Sequence, residues 1–276
     1  MKVVCYNRTT EDTKLLAGEM ITHSYSIKEF VSQLTRPRLI WLSLPAGKSI
    51  DEILFGERGI IDFLDKNDVI LDGGNSFYRD SIQRVKKLQK KGIRFIDVGV
   101  SGGPTGARYG ASLMIGGERK IFELYEQLFF DLAEPEGYQF FDGYGAGHFI
   151  KMIHNGIEYG MMQAIAEGFS ILKASSYRLD LSKIACVYNH GSVIESRLIE
   201  WLHNAFILHG KDLKDVSSSV GYTGEGEWTV QTARDLKIKA KIIEEALKFR
   251  VQSKKNPSYT GKILSALREQ FGGHRA

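Results

Sequence analysis

Short apolar segments alternate with amphipathic segments through the first half of the chain. The apolar segments have the length of buried strands, and polar or glycine-rich turns separate them from segments with helical spacing. This alternation predicts an α/β domain with a doubly wound parallel sheet and ligand-facing loops at the carboxyl ends of its strands. Strands are expected at 3–6, 39–44, 69–71, 95–98, 111–115 and 139–141, and helices near 27–34, 49–64, 79–91 and 118–131.

From about residue 146 onward the spacing of apolar residues is helical throughout. One long helix is predicted over about 146–174, and Ser192 with Glu195 three positions later matches a capping box for another. The chain is therefore expected to contain an α/β domain at 1–145 and an all-helical domain at 146–276. Further helices are expected at 192–207, 229–251 and 258–270.

The composition is that of an ordinary soluble globular protein, with 43% hydrophobic and 25% charged residues. A net charge of +4 is too small to indicate nucleic-acid binding, although it suits a small anionic substrate. Cys5 and Cys186 lie far apart and form no metal or redox spacing, which is typical of free thiols in a reducing cytosol. No apolar run is long enough for a membrane span. We therefore expect a cytoplasmic protein that binds no membrane and no nucleic acid.

One segment carries polar side chains where a core-facing helix normally carries apolar ones. Lys151, His154, Asn155, Glu158 and Tyr159 lie at i, i+3, i+4, i+7 and i+8, so a helix places all five on one face. Buried polar groups are costly unless they are paired, and this face is therefore predicted to line a cleft. A solvated helix face with an incidental Lys–Glu pair is the competing interpretation.

Three further motifs accompany this segment. They are D-G-G-N at 72–75, S-G-G-P at 101–104 and R-E-Q-F-G-G-H at 268–274. Together with 151–160 they resemble the decarboxylating 6-phosphogluconate dehydrogenases, in particular the short form, within the β-hydroxyacid dehydrogenases. The resemblance covers nearly the whole chain. It implies a Rossmann-like NADP-binding domain, conversion of 6-phosphogluconate to ribulose 5-phosphate in the pentose phosphate pathway, and a homodimer or homotetramer.

A dinucleotide-binding fold opens with a strand, a G-x-G-x-x-G turn and a helix that holds the pyrophosphate. This sequence contains no such turn and opens on what resembles the second strand. We therefore expect an N-terminally truncated chain without its first strand, the central one in the strand order. Asn7-Arg8-Thr9 lies where the fold contacts the adenosine ribose, and an arginine there suits the 2′-phosphate of NADP. An ordinary polar loop remains the alternative.

NADP is the cofactor that the resemblance implies. The loop Leu44-Pro45-Ala46-Gly47 matches the family segment that passes the ribose and diphosphate, although a plain turn explains it nearly as well. No metal is expected, because His154 has no second His or Cys at ligand spacing. The cofactor contacts implied are Asn7, Arg8, Thr9, Leu44, Pro45, Ala46 and Asn75.

The resemblance also assigns the chemistry. Oxidation of a secondary alcohol needs a base for the hydroxyl proton, and a lysine serves only if burial or a neighbouring positive charge lowers its pKa. Lys151 matches that base, and in its protonated form it polarises the keto oxygen while CO2 leaves. Glu158 matches the acid that protonates C1. Substrate contacts are implied for Asn75, Ser101, Gly102, Gly103, His154, Asn155, Tyr159, Arg250, Arg268 and His274.

Two parts of the substrate need different partners. Residues 101–103 offer a hydroxyl and open backbone N–H groups for a carboxylate, although the glycines alone indicate a tight turn. Tyr159, Arg250, Arg268 and His274 match the family's phosphate site, and in these enzymes the last two reach into a neighbouring subunit's cleft. A frayed terminus is the alternative for this tail.

Two departures from the family pattern weaken what the resemblance implies for substrate affinity. Thr223 stands where long-form relatives carry lysine, and Glu227 stands where an arginine is frequent in short forms. Two other functions stay open. A 3-hydroxyisobutyrate-type enzyme usually lacks the Glu-Tyr pair that is present here at 158–159. A truncated, catalytically inactive chain is the third hypothesis, and calorimetry with NADP discriminates it.

Overall fold

The computed structural model describes residues 2–15, 18 and 20–272, without the side chains of residues 10 and 12. The chain divides into two compact units. The first is Met1–Ser101 with Gly110–Lys151, and the second is Gly102–Tyr109 with Met152–Ala276. The division after Lys151 falls inside one long helix, so the predicted catalytic helix belongs to both units.

The described strands of the first unit form two sheets instead of the single sheet that the sequence predicts. They are β1 (Val3–Tyr6), β2 (Ile21–Ser24), β3 (Leu39–Leu42), β4 (Val69–Asp72), β5 (Arg94–Ser101), β6 (Ala111–Gly117) and β7 (Ala133–Asp142). The parallel pair β1-β2 is separate from a five-stranded sheet in the order β3-β4-β5-β6-β7.

One strand departs from the predicted parallel arrangement. β3, β4 and β5 are parallel, β6 is antiparallel to β5, and β7 is parallel to β6. Only residues 102–110 connect β5 to β6. A parallel crossover needs about a dozen residues or more, so this connection is too short to cross the sheet. The sheet is therefore mixed.

Helices cover both faces of the five-stranded sheet. Neighbouring residues of β4 face opposite sides, since Ile70 packs in one cluster with Leu54 and Leu88 while Leu71 packs in another with Phe129. The unbroken apolar run of β4 is buried because both of its faces are covered. The helices of the chain are α1 (Thr10–Leu15), α2 (Ile27–Ser32), α3 (Lys48–Phe55), α4 (Tyr78–Gln89), α5 (Gly103–Tyr109), α6 (Arg119–Leu132), α7 (Ala146–Ala174), α8 (Leu181–Tyr188), α9 (Arg197–His209), α10 (Gly224–Asp235), α11 (Lys241–Ser253) and α12 (Tyr259–Gly272).

The second unit is helical in its described part, and its core joins α7, α8, α9 and α12. Phe169, Ala185, Phe206 and Leu264 are among the buried residues that pack together there. The prediction of one long helix over 146–174 is confirmed at both ends. Within the described ranges, neither this helix nor any other is long and apolar enough to cross a membrane.

The predicted helix 229–251 is two helices, α10 and α11. Lys237 has a left-handed backbone (φ 59°), and the N–H of Ile238 donates to the carbonyl of Ala233 at 2.8 Å. This closure ends α10 in the way that glycine usually ends a helix. Because a lysine and not a glycine occupies the left-handed position, nothing in the apolar spacing marked the end of the helix.

The predicted capping box at Ser192 is wrong. α9 begins four residues later, where the Ser196 hydroxyl accepts a hydrogen bond from the N–H of Ile199 at 3.3 Å. Ser192 instead donates to the carbonyl of Tyr188, and the Glu195 carboxylate accepts from Gly191. The Ser–Glu pair therefore stabilises the turn before the helix. The sequence patterns also missed α1, β2, α5 and α8.

Candidate active site

A carboxylate from the sheet caps the amino end of α7. Asp97 of β5 is fully buried, and its two oxygens accept hydrogen bonds from the N–H groups of Gly145 (2.7 Å) and His148 (2.9 Å). Helix amino ends carry N–H groups without partners inside the helix, and this contact satisfies them from a distant strand. Burial raises the pKa of the Asp97 carboxyl, while His148 and the two N–H groups oppose that shift. The start of α7 is thereby attached to β5.

His148 attaches the same helix end to α4. Its ring is buried, and Nδ1 lies 2.7 Å from the hydroxyl of Ser81, which is also buried. The other ring nitrogen, Nε2, is buried and has no hydrogen-bond partner among the described residues. Two contacts, one to the sheet and one to a helix, therefore position the first turn of α7.

Lys151 lies one turn further along α7 and packs against a glycine of β5. Its side chain is buried, with 6% exposure. A Cβ at Gly99 would lie 2.3 Å from the Cβ of Lys151 and 2.9 Å from the carbonyl oxygen of Gly147. Only glycine allows the helix to approach the strand this closely. The predicted base is thus held against the sheet, and the solvated-face interpretation is wrong for this residue.

The polar stripe of α7 is buried or half-buried, whereas part of its apolar stripe is exposed to solvent. His154, Asn155 and Glu158 are half-buried, and His154 Nδ1 lies 2.9 Å from the Asn155 side-chain oxygen. Ile157 and Met161, which the sequence places on the apolar side, are 52% and 45% exposed. The exposed side of this helix is thus partly apolar, whereas that of an ordinary surface helix is polar.

Tyr159, Arg250 and Arg268 form a buried basic cluster in the second unit. The guanidinium carbon of Arg250 lies 3.5 Å from the centroid of the Tyr159 ring, and the tyrosine hydroxyl donates to the carbonyl of Thr223 at 3.4 Å. Removal from water lowers the pKa of both arginines and raises the pKa of the phenol. Arginine nevertheless stays protonated in proteins. Two charged guanidiniums in one desolvated site favour an anionic ligand.

Arg268 reaches this cluster within its own chain. It lies on α12, where residues 263–267 are buried in the helical core, and a Cβ at Gly221 would lie 2.5 Å from its Nη1. The resemblance implies that this arginine completes a neighbouring subunit's cleft. Within one chain, α12 belongs to the core of the unit, and Arg268 interacts electrostatically with Tyr159. Its contribution to a neighbouring subunit's cleft stays a prediction. His274 lies outside the described residues.

The side chain of Asn75 pairs with the backbone of β5. Its Nδ2 donates to the carbonyl of Val100 at 3.0 Å, and its Oδ1 accepts from the Val100 N–H at 2.8 Å. The residue has a left-handed backbone (φ 50°) at the end of the turn after β4. The predicted contacts to substrate and nicotinamide therefore have to use the second N–H and the remaining lone pairs. Asn75 also positions the end of β5, where Ser101 lies.

Ser101 ends β5, and the two glycines after it make the turn. Gly102 and Gly103 have φ values of 132° and 58°, which favour glycine. The tight-turn interpretation therefore has structural support, and carboxylate binding at 101–103 stays a prediction. Gly102 and Gly103 belong to the second unit.

The predicted cofactor residues lie in loops that follow strands. Residues 7–9 are exposed and follow β1, while the loop between β3 and α3 exposes Pro45 and Ala46 and half-buries Leu44. The carboxyl ends of parallel strands are where such folds bind ligands. No group of three or more His, Cys, Asp or Glu in the described ranges is arranged to hold a metal ion.

Sequence reasoning missed three residues that organise the site. Asp97 and His148 hold α7, and the buried Arg84 of α4 bonds to the loops after β3 and β4. A signal existed for Asp97, since a lone carboxylate within an apolar strand is costly unless it is hydrogen-bonded. Arg84 offered no comparable signal, because one arginine among the charges of an amphipathic helix looks solvated.

Comparison with known proteins gives matches over nearly the whole chain. A family model described as the NAD binding domain of 6-phosphogluconate dehydrogenase matches residues 1–145, and the C-terminal domain of that enzyme matches residues 147–270. The Bacillus subtilis protein YqeC, whose name places it among these dehydrogenases, is 44% identical over 90% of this chain and 82% of its own length.

Two further relatives differ in the cofactor that their names state. The NAD(+)-dependent, decarboxylating 6-phosphogluconate dehydrogenase of Haloferax volcanii is 35% identical over 99% of this chain and 90% of its own length. The Plasmodium falciparum 6-phosphogluconate dehydrogenase, solved with NADP+ and with 6-phosphogluconate, superposes with a TM-score of 0.81 at 31% identity. That match covers 92% of this chain and 57% of the Plasmodium chain. The chain described here belongs to the 6-phosphogluconate dehydrogenase family.

Proposed function

We propose that this protein catalyses the NADP-dependent oxidative decarboxylation of 6-phosphogluconate to ribulose 5-phosphate. The observation that carries the proposal is the covered polar face of α7, with Lys151 buried against Gly99 at one end and Glu158 seven positions along. Seven residues of helix make about two turns, so Lys151 and Glu158 lie on the same face. A base and an acid on one helix face can act on the same part of a sugar acid from two sides, which suits a reaction with two proton transfers.

Lys151 accepts the C3 hydroxyl proton as the alcohol is oxidised, because an amine can act as a base once it is neutral. The resulting ammonium then donates a hydrogen bond to the keto oxygen, where negative charge develops as the carboxylate leaves as CO2. Glu158 delivers a proton to C1 of the enediol, the carbon that the departing CO2 leaves behind, from the other side of the sugar. His154 and Asn155, paired with each other between these two residues, bind sugar hydroxyls.

A bound dinucleotide would supply the acceptor for the C3 hydride. Residues 7–9 and Leu44, Pro45 and Ala46 would hold it, and their positions in open loops after β1 and β3 fit that role. At Gly47, the last residue of the second loop, φ is 93° and a Cβ would meet nothing within 4 Å. That space allows a ligand to approach the backbone closely. Arg8 supports NADP over NAD, because an exposed guanidinium suits a 2′-phosphate.

The buried basic cluster binds the substrate's phosphate. Arg250 and Arg268 supply two permanent charges, and the neutral Tyr159 hydroxyl supplies a donor. Placing two like charges together in a desolvated site is unfavourable without an anion, so a phosphate dianion relieves the repulsion. An unphosphorylated hydroxyacid has only its carboxylate, which residues 101–103 are predicted to bind, and so brings no second anion to the cluster. The cluster therefore supports 6-phosphogluconate over 3-hydroxyisobutyrate as the substrate.

A second copy of the chain covers the open apolar stripe of α7. Ile157, Met161 and Ile171 share a face of this helix and are exposed, and Ile207 and Leu208 are exposed on α9. Apolar patches of this kind are uncommon on monomers and mark association surfaces. We infer a cytoplasmic homodimer, with a homotetramer as the larger alternative.

The proposal is tested by assaying the purified chain with 6-phosphogluconate and with 3-hydroxyisobutyrate, each with NADP and with NAD. We expect reduced dinucleotide and CO2 in equal amounts from 6-phosphogluconate with NADP. Turnover of 3-hydroxyisobutyrate alone would overturn the substrate assignment, and equal turnover with NAD would overturn the cofactor preference. Calorimetric titration with NADP separates an inactive chain, which binds nothing, from an active chain with another substrate.

A further inference from the structure

A buried arginine links the two loops at the carboxyl ends of β3 and β4. Arg84 of α4 is 1% exposed, and its guanidinium donates four hydrogen bonds. It reaches Asp51 (2.8 Å) and the carbonyl of Gly47 (3.1 Å) on the β3 side. It reaches Ser76 (2.8 Å) and Asp72 (3.2 Å) on the β4 side. Four of its five N–H groups are thus used between two segments.

The groups that accept hydrogen bonds from Arg84 lie at or next to residues with positive φ. Gly47 is the residue before α3 and has a φ of 93°, and Asn75, between the two β4 partners, has a φ of 50°. Left-handed residues outside regular elements persist when the surrounding structure holds them. The Asp72 carboxylate adds two contacts of its own, to the N–H of Gly74 (3.1 Å) and to the hydroxyl of Ser76 (3.0 Å).

The two loops also contact each other. A Cβ at Gly74 would lie 2.5 Å from the carbonyl oxygen of Leu44 and 2.7 Å from Ile50 Cδ1. A displacement of one loop is therefore transmitted to the other. Leu44–Gly47 carries predicted dinucleotide contacts, and the Asp72–Ser76 turn carries Asn75. The Arg84 guanidinium bridges these two groups, in addition to the direct contact between the loops.

We propose that Arg84 is a positioning residue that holds the Leu44–Gly47 loop and the Asp72–Ser76 turn together as one dinucleotide-binding surface. The inference rests on the proposed function for the identity of the ligand, and on the hydrogen bonds alone for the coupling of the loops. Asp72 is fully buried and balances the charge of Arg84, while Asp51 is half-exposed. Arg84 touches no reacting atom, so its effect should appear in binding and loop order.

The test compares Arg84→Lys with Arg84→Met in the full chain. Lysine keeps the charge opposite Asp72, but its ammonium lacks the planar fork with which the guanidinium reaches all four acceptors. Methionine removes both the charge and the donors. Arg94→Lys is the matched control, because Arg94 bonds Glu118 (3.1 Å) at the start of β5, away from these loops. Circular dichroism and a thermal melt establish that each variant is folded.

Two measurements are made on the folded variants. Amide hydrogen exchange of the unliganded chain should become about 10-fold faster or more in peptides covering 44–48 and 72–77 for Arg84→Lys, and should stay unchanged for Arg94→Lys. The KM for the dinucleotide should rise by about 10-fold or more, while the shape of the kcat pH profile, set by groups on α7, stays unchanged.

Unchanged exchange in both loops of a folded Arg84→Lys chain would overturn the coupling. Faster exchange with an unchanged dinucleotide KM would overturn the assignment of the loops to the dinucleotide. If the wild type turns over no phosphogluconate, the proposed function fails, and the exchange experiment still decides whether Arg84 holds the loops. If only Arg84→Met unfolds, Arg84→Lys carries the test.

Discussion

Lys151 combines burial with a fixed backbone, and both follow from its contacts. The helix approaches β5 so closely that Gly99 lacks room for a side chain, and the turn before it is capped by Asp97. The Cβ and Cγ of this lysine therefore lie against the strand, away from solvent. The proposed proton transfer therefore depends on a side chain whose position the sheet determines.

Replacing Lys151 with alanine should lower kcat by roughly 10²–10⁴, the usual contribution of a positioned base. Lys151→Arg should be similarly inactive, because guanidinium does not deprotonate in proteins. Steady-state kinetics with 6-phosphogluconate measures the effect. Lys183→Ala is the control, since this lysine lies on α8 with 83% side-chain exposure and should leave kcat unchanged. Near-normal kcat in a folded Lys151→Ala chain would rule out this assignment.

Arg8 should decide between the two dinucleotides. In Arg8→Ala the KM for NADP should rise by about 10-fold or more, because a charged hydrogen bond to the 2′-phosphate is lost. The KM for NAD, which has no such phosphate, should change little. Kinetics with both cofactors gives the comparison. Equal increases for NADP and NAD would leave Arg8 as an ordinary loop residue.

At the scale of the element, α7 depends on a cap that comes from another part of the chain. Asp97 accepts from Gly145 and His148 across a long sequence separation, in contrast to Asp180, which caps α8 from the adjacent position. Burial raises the pKa of Asp97. The pKa of Asp180 is lowered, mainly by the hydrogen bond from the Ser182 hydroxyl and secondly by the one from the N–H of Lys183. Two helix caps of the same residue type thus respond oppositely to pH.

The folded state binds the Asp97 proton more tightly than the unfolded state does, because the folded pKa is raised. Its contribution to stability is fully present below about pH 4 and is lost as pH rises through the folded pKa. The free energy of unfolding of the wild type minus that of Asp97→Asn should therefore fall with rising pH. Urea unfolding at several pH values measures this difference.

Asp180→Asn provides the comparison of opposite sign. Because the folded pKa of Asp180 is lowered, its contribution is present above the unfolded pKa and is lost as pH falls through the folded pKa. The free energy of unfolding of the wild type minus that of Asp180→Asn should therefore rise with pH. A wild-type advantage over Asp97→Asn that stays constant or rises with pH would contradict the account of the buried cap.

At the scale of the whole molecule, the second unit exposes apolar surface that a soluble monomer would normally hide. Introducing charge there should block association, because a carboxylate cannot be buried without a partner. We expect the double variant Ile157→Glu, Ile171→Glu to be monomeric by light scattering, with the wild type a dimer or larger. Leu124→Glu is the control, since Leu124 is exposed on α6 of the first unit. A wild-type monomer, or an unchanged mass in the double variant, would refute the association surface.

Local periodicity predicted much of this architecture. The α/β order of the first unit and both ends of α7 followed from spacing, because strands and helices repeat over a few residues. Elements without a strong pattern were missed, including β2 and α8. The break between α10 and α11 was missed as well, since Lys237 ends the helix in a conformation that usually calls for glycine.

By itself, the sequence determined the fold class, the long helix and the identity of the polar residues on its face. Only the tertiary structure decided which of those residues are buried, that β6 runs antiparallel to β5, and that Arg250 lies over the ring of Tyr159. The physical reason is the range of the interactions. Backbone periodicity acts between neighbours in the chain, whereas Asp97 and Arg84 bond to partners brought close only by folding, and such contacts leave no local pattern.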